Sequence, residues 1–266
     1  MKRLYDAEKK RLVYIGTKSN KKMWEERWKK EDYLKLFDIN RMDYNDRLIL
    51  DVTKTYLHLG AWILEGGCGL ARNVMLLKEH GFNAVGVDYA RQTLQKVKLY
   101  NPSLLLHEAD LRKLPFSDGS IDAYWSIGVI EHFYHGYNEI TLEMSRVLKP
   151  GGYLFLAVPS MSKLRIIKSK IGAYKKFVEN AATVENFYQF AYRPSDIKKS
   201  FCRRGFTLVK EQGWNVYKGV SDEISCLKLV MSVLCRIIPI TIENVFGKLA
   251  NHMQLYIFIK TDEHNK

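Results

Sequence analysis

The feature that most restricts the fold of this chain is a regular alternation, from Ala61 to Pro159, of short apolar runs with helical stretches. That is the pattern of βαβ units laid on a parallel sheet. Ala61-Trp62-Ile63-Leu64 reads as a buried strand, residues 69–80 as a helix closed by Gly81 at C′, and Ala84-Val85-Gly86-Val87 as the next strand. Residues 91–99 read as a helix stopped before Asn101-Pro102, Leu104-Leu105-Leu106-His107 as a third strand, and Ile121 to Ile127 as a fourth. A helix over 137–148, a turn at Pro150-Gly151-Gly152 and a fifth strand from Tyr153 to Val158 follow. Further on, Ser195 reads as the N-cap of a helix that ends at Arg204-Gly205-Phe206, before strands Thr207-Leu208-Val209 and Gln254 to Lys260. The fold class implied is α/β: a doubly wound sheet, mostly parallel with an antiparallel last strand, and helices on both faces.

Three regions, 1–58, 160–192 and 215–250, fall outside the alternation. They read as helical additions: a basic N-terminal lid over 1–58, and a core over 59–266 with helical insertions at about 160–192 and 215–250. The charge follows this division. Of the net +13, residues 1–30 carry +7 and residues 161–176 carry +6, so the rest of the chain is formally neutral. A composition 47% apolar and 27% charged excludes a disordered or collagen-like chain. Cys68, Cys202, Cys226 and Cys235 form no C-x-x-C pair, and no apolar leader opens the chain, so the expectation is a cytoplasmic protein with reduced thiols. The apolar stretch 224–250 reads as buried packing, with a dimer face or a membrane-surface element as alternatives; oligomeric state is left open.

The chemistry concentrates at Glu65-Gly66-Gly67-Cys68-Gly69, where a strand gives way to a helix. Glycines let a ligand approach the backbone, and Asp88, at the end of the second strand, suits the ribose of a nucleoside. A dinucleotide fingerprint would need a third glycine where Arg72 stands, and Glu65 would repel a pyrophosphate. The same acid suits a cofactor with an amino group and a sulfonium, which favours S-adenosylmethionine over NAD.

Five segments in order carry a family resemblance: Ile63 to Arg72, Val85 to Ala90, Glu108 to Phe116, Ile121 to Phe133 and Leu142 to Gly152. Together they resemble the motifs of class I S-adenosylmethionine-dependent methyltransferases, nearest the broad, type 11-like subset that includes the quinone-biosynthesis methylases. The resemblance covers about residues 61–160, and more loosely 190–210 and 252–261. It implies a Rossmann-like core, S-adenosyl-L-methionine as cofactor, and a role for each matching position. Glu65 and the loop Gly66, Gly67, Cys68 and Gly69 face the methionine part; Asp88 binds the ribose; Tyr89 packs on the adenine. Ala109, Asp110 and Leu111 meet the adenine edge, and Ile127 lies beneath the cofactor. Two positions depart from the pattern: Gly66 stands for a usual bulky apolar residue and Ala71 for a frequent glycine.

For the acceptor side, His132 is the candidate general base, with a structural role for the Glu131-His132 pair as the alternative. His135 does not complete an H-E-x-x-H motif, and no metal is expected. Trp24 and Trp28 share a helix face flanked by Arg27 and Lys30, and read either as pocket lining or as core packing. Arg41 and Arg47 are candidates for the cofactor carboxylate. Phe187, Tyr188, Phe190 and Tyr192 read as an acceptor wall or a packed hinge. The basic segments suggest a positive rim, hence an anionic small-molecule or lipid- or sugar-linked acceptor, with Lys168, Lys170 and Lys175 in the rim. RNA is the runner-up partner, peripheral membrane contact is a further option, and a catalytically inactive binding subunit is the alternative to an enzyme.

Overall fold

The computed structural model describes residues 1–38 and 41–261, the Leu34 side chain apart. The chain opens with strands β1 (Lys2–Asp6) and β2 (Arg11–Ile15), then helices α1 (Lys21–Trp28), α2 (Tyr33–Leu36) and α3 (Tyr44–Tyr56). The alternating core follows: β3 (Trp62–Gly66), α4 (Arg72–Glu79), β4 (Asn83–Asp88), α5 (Arg91–Tyr100), β5 (Leu105–Glu108), β6 (Ile121–Ile127), α6 (Asn138–Val147) and β7 (Leu148–Pro159). An insertion holds α7 (Lys163–Lys170), β8 (Lys175–Lys176), α8 (Ala181–Glu185) and β9 (Phe187–Ala191). The C-terminal part comprises α9 (Pro194–Cys202), β10 (Phe206–Trp214), α10 (Val216–Glu223), α11 (Lys228–Ile237), α12 (Pro239–Ala250) and β11 (Met253–Lys260).

The main sheet has seven strands in the order β10-β11-β7-β6-β3-β4-β5. All neighbours from β7 to β5 pair in parallel, while β11 runs antiparallel between β7 and β10, as its position last in the chain implied. Side chains alternate between faces along each strand. Ile63, Trp125, Phe155 and Ile257 enter one buried cluster with α3 and α4, whereas Leu64, Tyr124, Leu154 and Phe258 enter the other with α6 and α9. Strands buried on both faces have to be apolar throughout, which is why the sequence shows runs rather than alternation here.

The additions are less helical than their composition suggested. Residues before Lys21 form the β1–β2 hairpin, and the 160–192 insertion adds β8 and β9 to it, giving a second sheet in the order β8-β1-β2-β9. Helix dominates only from Lys21 to Tyr56 and from Val216 to Ala250. Ser195 is not an N-cap either. Pro194 takes the first helical position of α9, with its missing N–H among those a helix start leaves unpaired, and the Ser195 hydroxyl bonds Asp196 instead.

A buried ionic network joins the second sheet to the first. Arg165 on α7 is 0% exposed; it donates from Nε to Glu223 Oε1 at 3.0 Å and from Nη1 to the Ser160 carbonyl at 2.8 Å, and its Nη2 lies 3.0 Å from His252 Nδ1. Arg3 and Lys168 also bond Glu223, at 2.5 and 2.9 Å, and the Tyr174 hydroxyl donates to it at 2.7 Å. Lys168 is therefore not free rim charge, and of the six basic residues in the stretch 161–176 only Lys163, Lys170, Lys175 and Lys176 are exposed. Removing one partner from a buried ion pair leaves the other charge desolvated and unmatched. Arg165→Met should therefore cost about 3 kcal/mol in urea unfolding, with Arg165→Lys recovering only part of it. An unchanged midpoint for Arg165→Met would show the network to be dispensable.

Candidate active site

A cleft of about 1280 Å³ opens along the carboxyl ends of β3, β4 and β6, where the strand order reverses and open α/β sheets take ligands. Its floor is the loop after β3. Gly67 and Gly69 adopt φ of 76° and 49°, which keeps the backbone close and bare. The amides of Gly67 and Cys68 donate to the Val87 carbonyl at 2.8 and 3.1 Å, and the Gly69 amide donates to Asp88 Oδ2 at 2.9 Å. Asp88 Oδ1 in turn accepts from the Ala90 amide at 2.8 Å. One carboxylate thus fixes both the loop and the end of β4 while keeping lone pairs for a ligand. Burial pushes its pKa up, against these amide bonds.

Glu65 ends a buried stretch of β3 and is 4% exposed. Its Oε1 accepts from Asn73 Nδ2 at 2.6 Å, whereas its Oε2 is buried without a partner at the cleft. Burial pushes the carboxyl up to about 8, and the charge of Asp88 adds to the rise. Gly66 belongs to β3 rather than to the turn: a Cβ there would stand 1.8 Å from the Tyr124 hydroxyl. The Tyr124 ring fills the space that a bulkier residue at 66 would take. The Cys68 side chain is buried under Gly86, so it is the backbone of this residue that serves the loop.

The adenine-side residues line the cleft at different depths. Tyr89 is exposed, Leu111 is buried, and Ala109 is tied to β4 through its amide and the Asp88 carbonyl. Asp110 is clamped by Arg112, with Nη2 to Oδ2 at 2.6 Å and Nε to Oδ1 at 3.0 Å, which lowers its pKa. Ile127 closes β6 at the cleft wall.

After β6 a 3-10 turn, Ile130–His132, carries the acceptor-side pair. His132 Nδ1 lies 2.7 Å from the Tyr188 carbonyl, an acceptor only, so Nδ1 holds the proton and Nε2 the lone pair. Burial pulls its pKa down to about 4 and keeps the ring neutral. Glu131 is buried with Oε2 unpartnered, and burial pushes its pKa up to about 8.

The lid is α1. Asn20 caps it by accepting from the Met23 amide, Lys21 reaches Glu108 at 3.3 Å, and Glu25 accepts from the Gln92 amide at 3.4 Å. Trp24 and Trp28 stack at 5.3 Å between ring centroids. Trp24 meets His132 edge-on, and a Cβ on Gly69 would stand 3.2 Å from the Trp28 ring. The tryptophan pair lines the cleft. Arg27 lies over both rings and donates to the Tyr188 hydroxyl at 3.1 Å.

Other expectations are redistributed. Of the four aromatics on and after β9, Tyr188 faces the cleft, while Phe187, Phe190 and Tyr192 pack into the core. Arg41 and Arg47 do not line the cleft; Arg72 does, held by Asp46 and by the carbonyls of Leu36 and Arg41. Tyr14, Gln189, Lys218 and His252 complete the wall and were missed. The signal for Tyr14 was present in Leu12-Val13-Tyr14-Ile15, a strand-like run behind a charged turn.

Fold and cleft define an α/β protein with an open cleft across the strand-order reversal. The family described as a methyltransferase domain matches residues 64–156. A probable S-adenosylmethionine-dependent methyltransferase of Mycolicibacterium smegmatis is 31% identical over 101 residues, covering 38% of this chain and 39% of the relative. The 2-methyl-6-phytyl-1,4-hydroquinone methyltransferase of Synechocystis is 33% identical over 102 residues, covering 37% and 32%. The chain therefore spans less than half the length of either relative. Among solved structures, the 1,6-didemethyltoxoflavin-N1-methyltransferase of Burkholderia thailandensis, with its substrate and S-adenosylhomocysteine bound, superposes with a TM-score of 0.55 at 14% identity. That superposition covers 98% of this chain and all of the neighbour. Over residues 64–156 the chain is thus similar to methyltransferase domains.

The two raised carboxyls make stability depend on pH in a definite direction. A Glu131 pKa near 8 when folded, against an ordinary value when unfolded, leaves its contribution intact at low pH and erodes it as pH rises toward 8. Glu131→Gln keeps a carbonyl for the amides of Val129 and Glu131 and removes the ionisation. At about 2–4 °C per kcal/mol, the variant should melt several degrees above the parent near pH 8 and together with it near pH 5. Parallel melting curves at both values would contradict the assignment.

Proposed function

We propose that the protein binds S-adenosylmethionine along the Glu65–Gly69 loop and catalyses transfer of its methyl group to a small-molecule acceptor beneath α1. The observation that carries this reading is the unpartnered, buried Glu65 Oε2, beside a bare glycine backbone and within reach of Asp88. A buried carboxylate oxygen without a partner fits an ammonium donor, and Asp88 keeps acceptor positions for ribose hydroxyls. Tyr89 and Leu111 supply the faces for a purine, with Ala109 and Asp110 at its edge. When bound, this cofactor supplies an electrophilic methyl group on sulfur.

The protein's own part is alignment and proton handling. Trp24, Tyr14 and Tyr188 give the acceptor side aromatic walls, and the α1 lid shields it from water. Neutral His132 presents Nε2 to take a proton from an acceptor hydroxyl or acidic carbon, with Nδ1 fixed by the Tyr188 carbonyl. Arg27 is the cation nearest this aromatic wall and suits an acceptor with one anionic group. The acceptor class is therefore a flat, aromatic small molecule, in keeping with similarity to a hydroquinone methylase.

Calorimetry tests the reading. Near pH 7 the Glu65 carboxyl of the free protein is mostly protonated, so pairing with an ammonium releases a proton and affinity rises as pH climbs toward 8. Titrations in buffers of different ionisation enthalpy should show that release. Glu65→Gln should abolish it and weaken binding about tenfold or more, as expected for a lost charge-assisted contact. Absence of binding at high micromolar S-adenosylmethionine would overturn the proposal.

A further inference from the structure

A surface that the cleft does not explain is on α11 and α12. The inner side of α11 is apolar, with Met231, Leu234 and Cys235 in a small cluster that includes Val216 and Val220 of α10. Its outer side is apolar too: Leu229, Val230, Val233 and Ile237 are all exposed, leaving little but Lys228, Ser232 and Arg236 as polar residues. On α12 the outward apolar residues are Ile240, Val245, Phe246 and Leu249, interspersed with exposed Thr241, Asn244 and Lys248, while Ile242 and Ala250 point in. A helix apolar all round is ordinarily buried. Beside the pair, α7 packs on α12 and exposes Ile167 and Ile171, one helical turn apart.

The exposed charges on α7, α11 and α12 are of one sign. Lys228, Arg236 and Lys248 are exposed on the two helices, and Lys163 and Lys170 on α7. The sole acid between residues 224 and 250, Glu243, turns inward and accepts from the Val216 amide at 2.9 Å. An apolar face rimmed by lysine and arginine, with no outward carboxylate, is complementary to an anionic lipid surface. The helices are too short for anything but an in-plane arrangement: α11 has 10 residues and α12 has 12, and no described helix is long and apolar enough to cross a membrane.

We propose that α11 and α12 lie in the interfacial plane of an anionic bilayer, with the basic residues of α7, α11 and α12 on lipid phosphates. α10 then stands between bilayer and cleft, since Lys218 lines the cleft while Val216 and Val220 support the two helices from beneath. Resting on the methyl-transfer reading, this places the cleft mouth where a lipid-soluble acceptor partitions.

Flotation of the full chain with vesicles tests the surface without reference to catalysis. The chain should float with vesicles of equal parts phosphatidylglycerol and phosphatidylcholine, and weakly or not at all with pure phosphatidylcholine. Leu229, Ile237 and Ile240 are 77%, 71% and 65% exposed, so Leu229→Glu, Ile237→Glu and Ile240→Glu combined should leave the melting curve and calorimetric S-adenosylmethionine binding unchanged. The same triple variant should lose vesicle binding about tenfold or more. The proposal is overturned if the parent ignores anionic vesicles, or if the variant floats as well as the parent. It also fails if light scattering finds a dimer that the triple variant dissolves, for then a second copy covers the face. A loss of S-adenosylmethionine binding in the parent would count against the methyl-transfer reading alone.

Discussion

The architecture hangs on one buried guanidinium. Arg165 has no exposed surface, so its charge has to be met entirely by protein groups, and those groups come from segments far apart in the chain. Ser160 follows β7, Glu223 ends α10, His252 precedes β11, and Arg3 on β1 reaches the same Glu223. The first three segments also contribute to the cleft wall, through Pro159, Lys218 and Met253, and β2, paired with β1, adds Tyr14. That part of the cleft wall is therefore assembled on a charge network rather than on the main apolar core. This also explains why an unpaired count of basic residues overstated the free positive charge there.

The floor of the cleft, the loop after β3, is built by the opposite means. Its geometry comes from the backbone of a buried parallel sheet, where loop positions follow from strand ends and the Gly67, Cys68 and Gly69 amides are satisfied locally. The Asp88 carboxylate and the Tyr124 ring complete it from neighbouring strands of the same sheet.

That difference accounts for what the sequence made legible. Core strands and helices lie within a few residues of their expected limits, because burial on both faces imposes long apolar runs and amphipathic helices on the local sequence. The β1–β2 hairpin was hidden for a physical reason: its strands are five residues each, begin with Lys2-Arg3 and Arg11, are joined through Lys9-Lys10, and one of them is completed only by β9, far along the chain. Non-local pairing of that kind leaves a weak local trace. Gly66 was visible as an anomaly, yet its cause is the Tyr124 ring on a neighbouring strand. Likewise Arg72, rather than Arg41 or Arg47, reaches the cleft because the Arg41 backbone carbonyl is one of the groups that hold it there.

The same dependence on surroundings changes the meaning of Glu131-His132. Read as letters, the pair is an anion beside a titrating base. In place, burial drives the glutamic acid toward its protonated form at neutral pH and the histidine toward its neutral form. Tyr188 fixes the tautomer, so the turn after β6 offers one hydroxyl donor on Glu131 and one imidazole acceptor on His132. Two opposite charges would hold each other, whereas a neutral donor and a neutral acceptor remain available to a ligand. The chemistry of this turn is thus set less by which residues occupy it than by α1 and β9 closing over it and keeping water out.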